Sequence, residues 1–350
     1  MIKRVINTNL LKKEETFRVM ALGEAVRTPI LLIGPPGVAK TAAVIDFAKG
    51  SLGKLNSSDL FLLETDEGTR SNAVKGNIDL EALTTTNKYK INSPITNAKV
   101  VVINEIDKAS ASLRNSLLGI MNERVLFNGT EKVPCQWTNF IATCNEIPDD
   151  EVDSPFWDRF LITHEVTRLS QADMLGYYDK GGKAFTQSQD IRLPESSDID
   201  AITLSSGKLK KVLDVAHSEL SDRALSFLPT LVKNVMIVWG MNEDRGLVKT
   251  AELLVGKAVA KELAKTLVPK EVRELYDLVD AIGQCMSTEE YNSKYDQLEI
   301  AYGVASKAGN ITEHDQADLQ IRIAEEEAKL SFLKSSDDES VLSQAQDTAY

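Results

Sequence analysis

The chain is short of the residues that would build a disulfide framework, a zinc site or a membrane span. Three cysteines (Cys135, Cys144, Cys285) occur in 350 residues. They share no metal-ligand spacing and cannot all pair, so they read as free thiols of a reducing compartment. The three histidines, at 164, 217 and 314, lie too far apart to suggest zinc. No run reaches the roughly 18 apolar residues a membrane helix needs. The opening "MIKRVINTNLLKKEE" lacks the apolar core of a signal peptide, so the expected location is cytoplasmic and no membrane partner is expected. Basic residues are also in deficit, with 40 Lys and Arg against 52 Asp and Glu, a formal charge of −12. A non-specific nucleic-acid binder needs cationic surface to neutralise phosphates, so this balance counts against one.

What is there is ordinary globular composition, 43% hydrophobic and 26% charged, with length for two or three domains. The first half alternates apolar runs with helical patterns. "ETFRVMALGEAVR" (15–27) has helical spacing, "ILLI" (30–33) is a short buried strand, and "KTAAVIDFAKG" follows as a helix closed by Gly50. Further strands are expected in "LFLLET" (60–65), "KVVVINEI" (99–106) and "TNFIATCNE" (138–146). Uniformly apolar strands separated by helices predict a parallel sheet covered on both faces. The polar connection between the second and third of these strands is long enough to be an insertion with its own role. From about residue 168 a Gly/Gln/Ser-rich loop leads into helical runs at 208–220, 222–240 and 247–267. Residues 313–350 carry ten acids against three bases, which places −7 of the −12 at this end and predicts a solvated, frayed terminus.

The stretch Gly34-Pro35-Pro36-Gly37-Val38-Ala39-Lys40-Thr41, between a strand and a helix, is suited to a polyphosphate. Inward N–H groups and the helix N-terminus favour anionic oxygens, Lys40 can reach the β- and γ-phosphates, and Thr41 can place its hydroxyl on Mg²⁺. The general pattern has glycine before the lysine; Ala39 stands there instead, at a cost if φ is positive. The run "VVINEID" would put Asn104 and Glu105 at the carboxyl edge of the sheet, beside the loop. Glu105 is suited to orienting an attacking water. An aspartate at 104 would help hold Mg²⁺ through its water shell; Asn104 can accept a hydrogen bond there but brings no charge. Asn104→Asp should then lower the Mg²⁺ requirement, and an unchanged requirement would point to another carboxylate, Asp107. Asn145, ending "FIATCN", would reach the same edge and hold the γ-phosphate or the water.

As an ordered set over roughly residues 15–240, these motifs resemble an AAA+ ATPase and most closely the MoxR family. The Ala-Lys-Thr ending of the loop, "NEIDKASASLRNSLLGIMNERVLFNG", "FIATCNE" and "SPFWDRF" carry the resemblance. It implies a P-loop AAA+ α/β fold, a parallel sheet flanked by helices, followed by a smaller all-α lid and C-terminal helices. The expected boundaries are 1–167 for the α/β domain, 168–270 for the lid, 271–335 for a helical extension and 336–350 for a flexible acidic tail. Lys40 and Thr41 would be the Walker A pair, Glu105 the catalytic glutamate, Asn145 sensor 1, and Arg159 a finger reaching a neighbouring subunit's nucleotide. Arg223 matches sensor 2, with Arg168 and Arg245 as rivals. Arg114 and Arg124 read as structural, an interface or second-finger role being the alternative. Residues 72–95 and 123–135 fall where the family carries two hairpins. The resemblance further implies ATP and Mg²⁺ as ligands and a ring, most often a homo-hexamer. It also implies a remodelling role on a protein substrate, frequently with a von Willebrand factor A domain partner. Two other function classes remain open: an ATP-binding scaffold with little turnover, motivated by Asn104, and a nucleic-acid motor or loader.

Overall fold

Five short runs pair side by side into one parallel sheet, in the order β10-β2-β9-β6-β3, in a computed structural model of the chain. These strands are β2 (Ile30–Ile33), β3 (Leu60–Glu64), β6 (Val100–Asn104), β9 (Asn139–Cys144) and β10 (Ile162–Glu165). The structure describes residues 5–52, 56, 58–78, 91–128, 131–148, 154–171, 173–174, 189–192, 202–217, 219–285 and 287–347. The central strands β6 and β9 are buried along their whole length, as their largely apolar sequences require. The edge strand β3 is partly exposed. Smaller two-stranded pairings are β1 (Val5–Thr8) with β11 (Gln189–Arg192), β4 (Asn77–Ile78) with β5 (Ile91–Asn92), and β7 (Val125–Asn128) with β8 (Glu131–Pro134). All three are antiparallel, and the last two fall within the two segments expected to hold hairpins; residues 79–90 and 129–130 lie outside the described residues.

The chain divides into two compact units, 1–169 with 185–203 and 219–239, and 170–184 with 204–218 and 240–350. The first contains the sheet with helices α1 (Glu14–Val26), α2 (Lys40–Leu52), α3 (Ala111–Asn122) and a helix at Asp222–Trp239. Phe17, Val19, Met20 and Leu22 of α1 are buried, and Arg27 ends it in the left-handed conformation before Pro29. Ser110 caps α3 by accepting the Leu113 N–H, and Leu113, Leu117, Ile120 and Met121 point inward at helical spacing. Trp137 lies under α3 and donates its indole N–H to the Ile120 carbonyl at 3.1 Å.

The helix at Asp222–Trp239 was expected in the lid, but its packing groups it with the sheet. Trp239 donates to a Glu15 carboxylate oxygen at 2.9 Å, and Leu228, Leu231, Val232 and Val235 are buried. In chain order α4 (Ser206–Ala216) precedes this helix, which is α5. The second unit holds α4, α6 (Glu243–Leu254), α7 (Lys257–Leu267), α8 (Lys270–Gly283), α9 (Thr288–Lys307) and α10 (Glu313–Asp347). The helix expected at 247–267 is two helices, because Gly256 at φ 98° breaks the run. Leu275, Val279, Ile282, Tyr291, Leu298 and Leu319 form the core of α8, α9 and α10. The segment expected as a flexible tail is helical through Asp347, the end of the 35-residue α10. Among the described residues no single helix is long and apolar enough to cross a membrane.

Candidate functional site

Parallel pairing in the order β2-β9-β6 brings the carboxyl ends of three strands to one edge: Ile33 lies beside Cys144, and Ala142 beside Ile103. From that edge leave the Gly/Pro loop, Asn145 and the Asn104-Glu105 turn. The site expected from separate motifs is thus assembled by strand register.

The loop's backbone explains its composition. A Cβ on Gly34 would stand 2.3 Å from the Val166 carbonyl oxygen, so this position admits only glycine without movement. Gly34 N–H donates to the Cys144 carbonyl at 3.2 Å, tying the start of the loop to β9. Gly37 has φ 84°, and a Cβ there would meet nothing within 4 Å. Ala39 has φ 63°, the left-handed region its departure from glycine made costly, by about 1 kcal/mol or somewhat more. No acidic side chain occupies the first turn of α2, which leaves the helix N-terminus fit for an anion.

The Lys40 ammonium lies inside the loop. It donates to the carbonyls of Gly34 and Pro35, the latter at 3.1 Å, and to Asn145 Oδ1 at 3.2 Å. Burial lowers its pKa, while the carboxylates of Asp107 and Glu105 oppose that shift. Thr41 Oγ1 donates to Asn104 Oδ1 at 3.2 Å. With its hydrogen so directed, the hydroxyl keeps its lone pairs for a cation. Asn104 is 2% exposed, and its Oδ1 also accepts from Thr143 Oγ1 at 3.2 Å. Both lone pairs of that oxygen are therefore engaged, and the acceptor role expected of it toward a metal-bound water has no lone pair left. Its Nδ2 is buried with no hydrogen-bond partner, which costs about 1–3 kcal/mol. Thr143 carried no sequence signal of its own; only its place opposite the end of β6 reveals it. Thr65 likewise clamps the turn, donating to the Asn104 carbonyl at 2.9 Å.

Glu105 sits at φ 55°, ψ 43°, a left-handed kink ending β6. Its side chain is half-exposed and paired with Lys108 at 2.7 Å, which raises the Lys108 pKa. Surface pairs of this kind are weak, so Glu105 is only lightly held.

The expected arginines form a separate cluster. Arg159 pairs with Asp158 at 2.9 Å and buries an unpartnered Nε. Arg223 donates to Asn122 Oδ1 at 2.9 Å, and its pKa is lowered first by burial and then by the charge of Arg159. Of the rivals, Arg245 is bound to Asp318 at 2.8 Å and covers the Tyr276 ring, and Arg168 is exposed. Arg114 and Arg124 have structural contacts. Arg114 donates to the carbonyls of Asp107 and Ala109 and lies against Phe156 and Trp157. Arg124 stacks 4.1 Å from the Trp137 ring centre and donates to the Arg27 carbonyl.

Residues 1–204 match the family described as the MoxR domain of MoxR–vWA–β-propeller ternary systems. The chain belongs to the MoxR family of AAA+ ATPases. An uncharacterised protein of Methanocaldococcus jannaschii is 25% identical to this MoxR chain over 235 residues, 63% of this chain and 60% of that protein. Replication factor C subunit 2 of Dictyostelium discoideum, so named as a probable assignment, is 19% identical over 317 residues, 90% of this chain and 81% of that one. The crystal structure of a candidate ATPase from Cytophaga hutchinsonii matches the fold with a TM-score of 0.53 and 14% identity, covering 71% of this chain and 82% of that one. The chain spans 60% and 46% of the lengths of the first two curated relatives it matches.

Among the described residues no group of three or more His, Cys, Asp or Glu side chains could hold a metal ion. The Thr41 hydroxyl beside the loop would suit Mg²⁺ only as a cation brought in by a nucleotide and keeping most of its waters.

Proposed function

We propose that this MoxR protein is a ring-forming, Mg²⁺-dependent ATP hydrolase that remodels or matures a protein partner. One observation carries the reading: at one edge of the sheet the Lys40 ammonium donates to Asn145 and the adjacent Thr41 hydroxyl donates to Asn104. Each residue has a part suited to its chemistry. The loop N–H groups and Lys40 bind the phosphates, Lys40 exchanging its carbonyl partners for anionic oxygens. Thr41 offers lone pairs to the cation, with Asn104 and Thr143 holding the hydroxyl in that orientation. Mg²⁺, when bound, would be held by the nucleotide and the Thr41 hydroxyl and would supply positive charge against the charge developing on the phosphates. Asn145 positions the γ-phosphate or the attacking water, and Glu105, once released from Lys108, orients that water. Arg159, whose contact is Asp158 rather than the loop, acts on a neighbouring subunit's nucleotide, with Arg223 beside it. A homo-hexamer supplies that neighbour. The family's description in ternary systems supports a von Willebrand factor A domain protein as partner.

A second reading, an ATP-binding scaffold with little turnover, is favoured by Asn104 and by the Glu105–Lys108 pair. Phosphate release and co-purification separate the two. The wild type should release phosphate from ATP, whereas Glu105→Gln should not, and the variant should retain ATP together with an engaged protein. Wild-type turnover no greater than that of Glu105→Gln, in rings confirmed by mass, would favour the scaffold. A nucleic-acid motor has only the distant likeness to replication factor C in its favour, against the −12 charge.

A further inference from the structure

Asn104 leaves the proposed site short of negative charge, and the adjoining turn has a carboxylate with an unused acceptor. The residues after β6 form a tight turn, Ile106–Lys108, pinned by the fully buried Ile106. Arg114 holds its backbone, donating from Nη2 to the Asp107 carbonyl and from Nε to the Ala109 carbonyl, each at 3.0 Å. The backbone of Asp107 is thus fixed. Its side-chain Oδ1 is buried and has no hydrogen-bond partner.

A buried, unpaired carboxylate oxygen is costly, and is retained where a ligand supplies its partner. The ligand's chemistry can be read from what the neighbours lack. Metal-bound waters present hydrogens and need acceptors. Asn104 has none to give, since Thr41 and Thr143 occupy its oxygen and its unspent Nδ2 is a donor. Glu105 is half-exposed and held by Lys108. Asp107 has the free acceptor and the charge, and that charge reaches Lys40 strongly enough to oppose the effect of burial there, ahead of Glu105.

We propose that Asp107 supplies the negative charge for the nucleotide's divalent cation that Asn104 cannot, accepting hydrogen bonds from the cation's water shell as a positioning residue. This rests on the reading of the loop as an ATP site. A carboxylate at 104 would have acceptor capacity beyond the two threonine hydroxyls, so the two positions should be interchangeable in charge.

The test is a Mn²⁺ titration read by electron paramagnetic resonance, with the purified protein and an imido-bridged, non-hydrolysable ATP analogue. Asp107→Asn should weaken Mn²⁺ in the nucleotide complex by about 10- to 100-fold, the scale of outer-shell ligands. Its nucleotide affinity in EDTA and its melting temperature should match the wild type. Adding Asn104→Asp to that variant should restore the Mn²⁺ affinity. Asn104→Asp alone, which tests the idea even where Asp107→Asn fails to fold, should tighten Mn²⁺ far less than the roughly tenfold expected were no other carboxylate present. Unchanged Mn²⁺ affinity in Asp107→Asn, or a loss that Asn104→Asp does not rescue, overturns the role of Asp107 and leaves the phosphate loop standing. A wild type that binds the analogue neither with Mn²⁺ nor in EDTA overturns both.

Discussion

Gly34 faces the backbone of Val166, with the carbonyl oxygen of Val166 only 2.3 Å from where a Cβ on residue 34 would stand. The first residue of the phosphate loop is thereby fitted against the chain just after β10, 132 residues further along.

Gly34→Ala should therefore push the loop and β10 apart. Backbone cannot rotate aside as a side chain can, so the expected cost is about 1–3 kcal/mol, the range for overpacked sites. Gly37→Ala meets no atoms within 4 Å and should cost only the strain of a positive φ, about 1–2 kcal/mol. Melting curves with fluorescent-nucleotide titrations check both. Equal melting temperatures for Gly34→Ala and the wild type would mean that the close approach is not maintained in solution.

Lys40→Ala should lose ATP binding at micromolar nucleotide while the fold survives. The change removes a cation that otherwise meets the β- and γ-phosphates, where charged hydrogen bonds are each worth about 1.5–3 kcal/mol. Calorimetry giving the same affinity for both proteins would take the loop out of the account.

Arg159→Ala should bind ATP nearly as the wild type does and yet hydrolyse it about 10³-fold more slowly or worse. Mixed with Glu105→Gln subunits it should regain part of that rate, because each subunit lends the group its neighbour lacks. No regain in mixed rings whose composition is verified would make Arg159 structural, its role ending at Asp158.

The thiols offer a check that involves no nucleotide. Burial pushes the Cys135 pKa up to about 11 and that of Cys144 up to about 12, whereas Cys285 is partly exposed. At pH 8 a thiol with a pKa near 12 is ionised to roughly one part in 10⁴. A disulfide reagent should therefore label Cys285 first and the other two only on unfolding. Both folded-state values lie above the ordinary 9.0, so the neutral thiols contribute stability that is complete below about pH 9 and is lost as pH rises toward 12. Rapid labelling of Cys144 in the folded protein would contradict its burial beneath the loop.

The strands β2, β6 and β9 were legible because apolar residues dominate each of them, with Asn104, Asn139 and Thr143 the only polar ones, and the loop because its residue types have few other uses. β10 was not: "ITHE" is four residues long with three of them polar, and it becomes a strand by pairing with β2. β1 and β11 were hidden for the same reason, since their register of Val5 with Arg192 is a tertiary fact. At the site, the structure sets Lys40 against Asn145 and Thr41 against Asn104. The attachment of Glu105 to Lys108 depends on a positive φ at a residue with no glycine signal. The engagement of both Asn104 lone pairs needed Thr143, which looks like any polar residue in a strand.

The strand order also dictates when the site can come into being. β2 takes its neighbours from residues 139–144 and 162–165, not from the strand that follows it in sequence. Once the Gly/Pro loop has left the ribosome, it has nothing to hold it until about a hundred further residues, through Cys144, have been made. Contacts so distant along the chain close slowly. During that interval β2 exposes two unpaired apolar edges, which makes the nascent protein most prone to aggregation before its phosphate loop can close on a nucleotide.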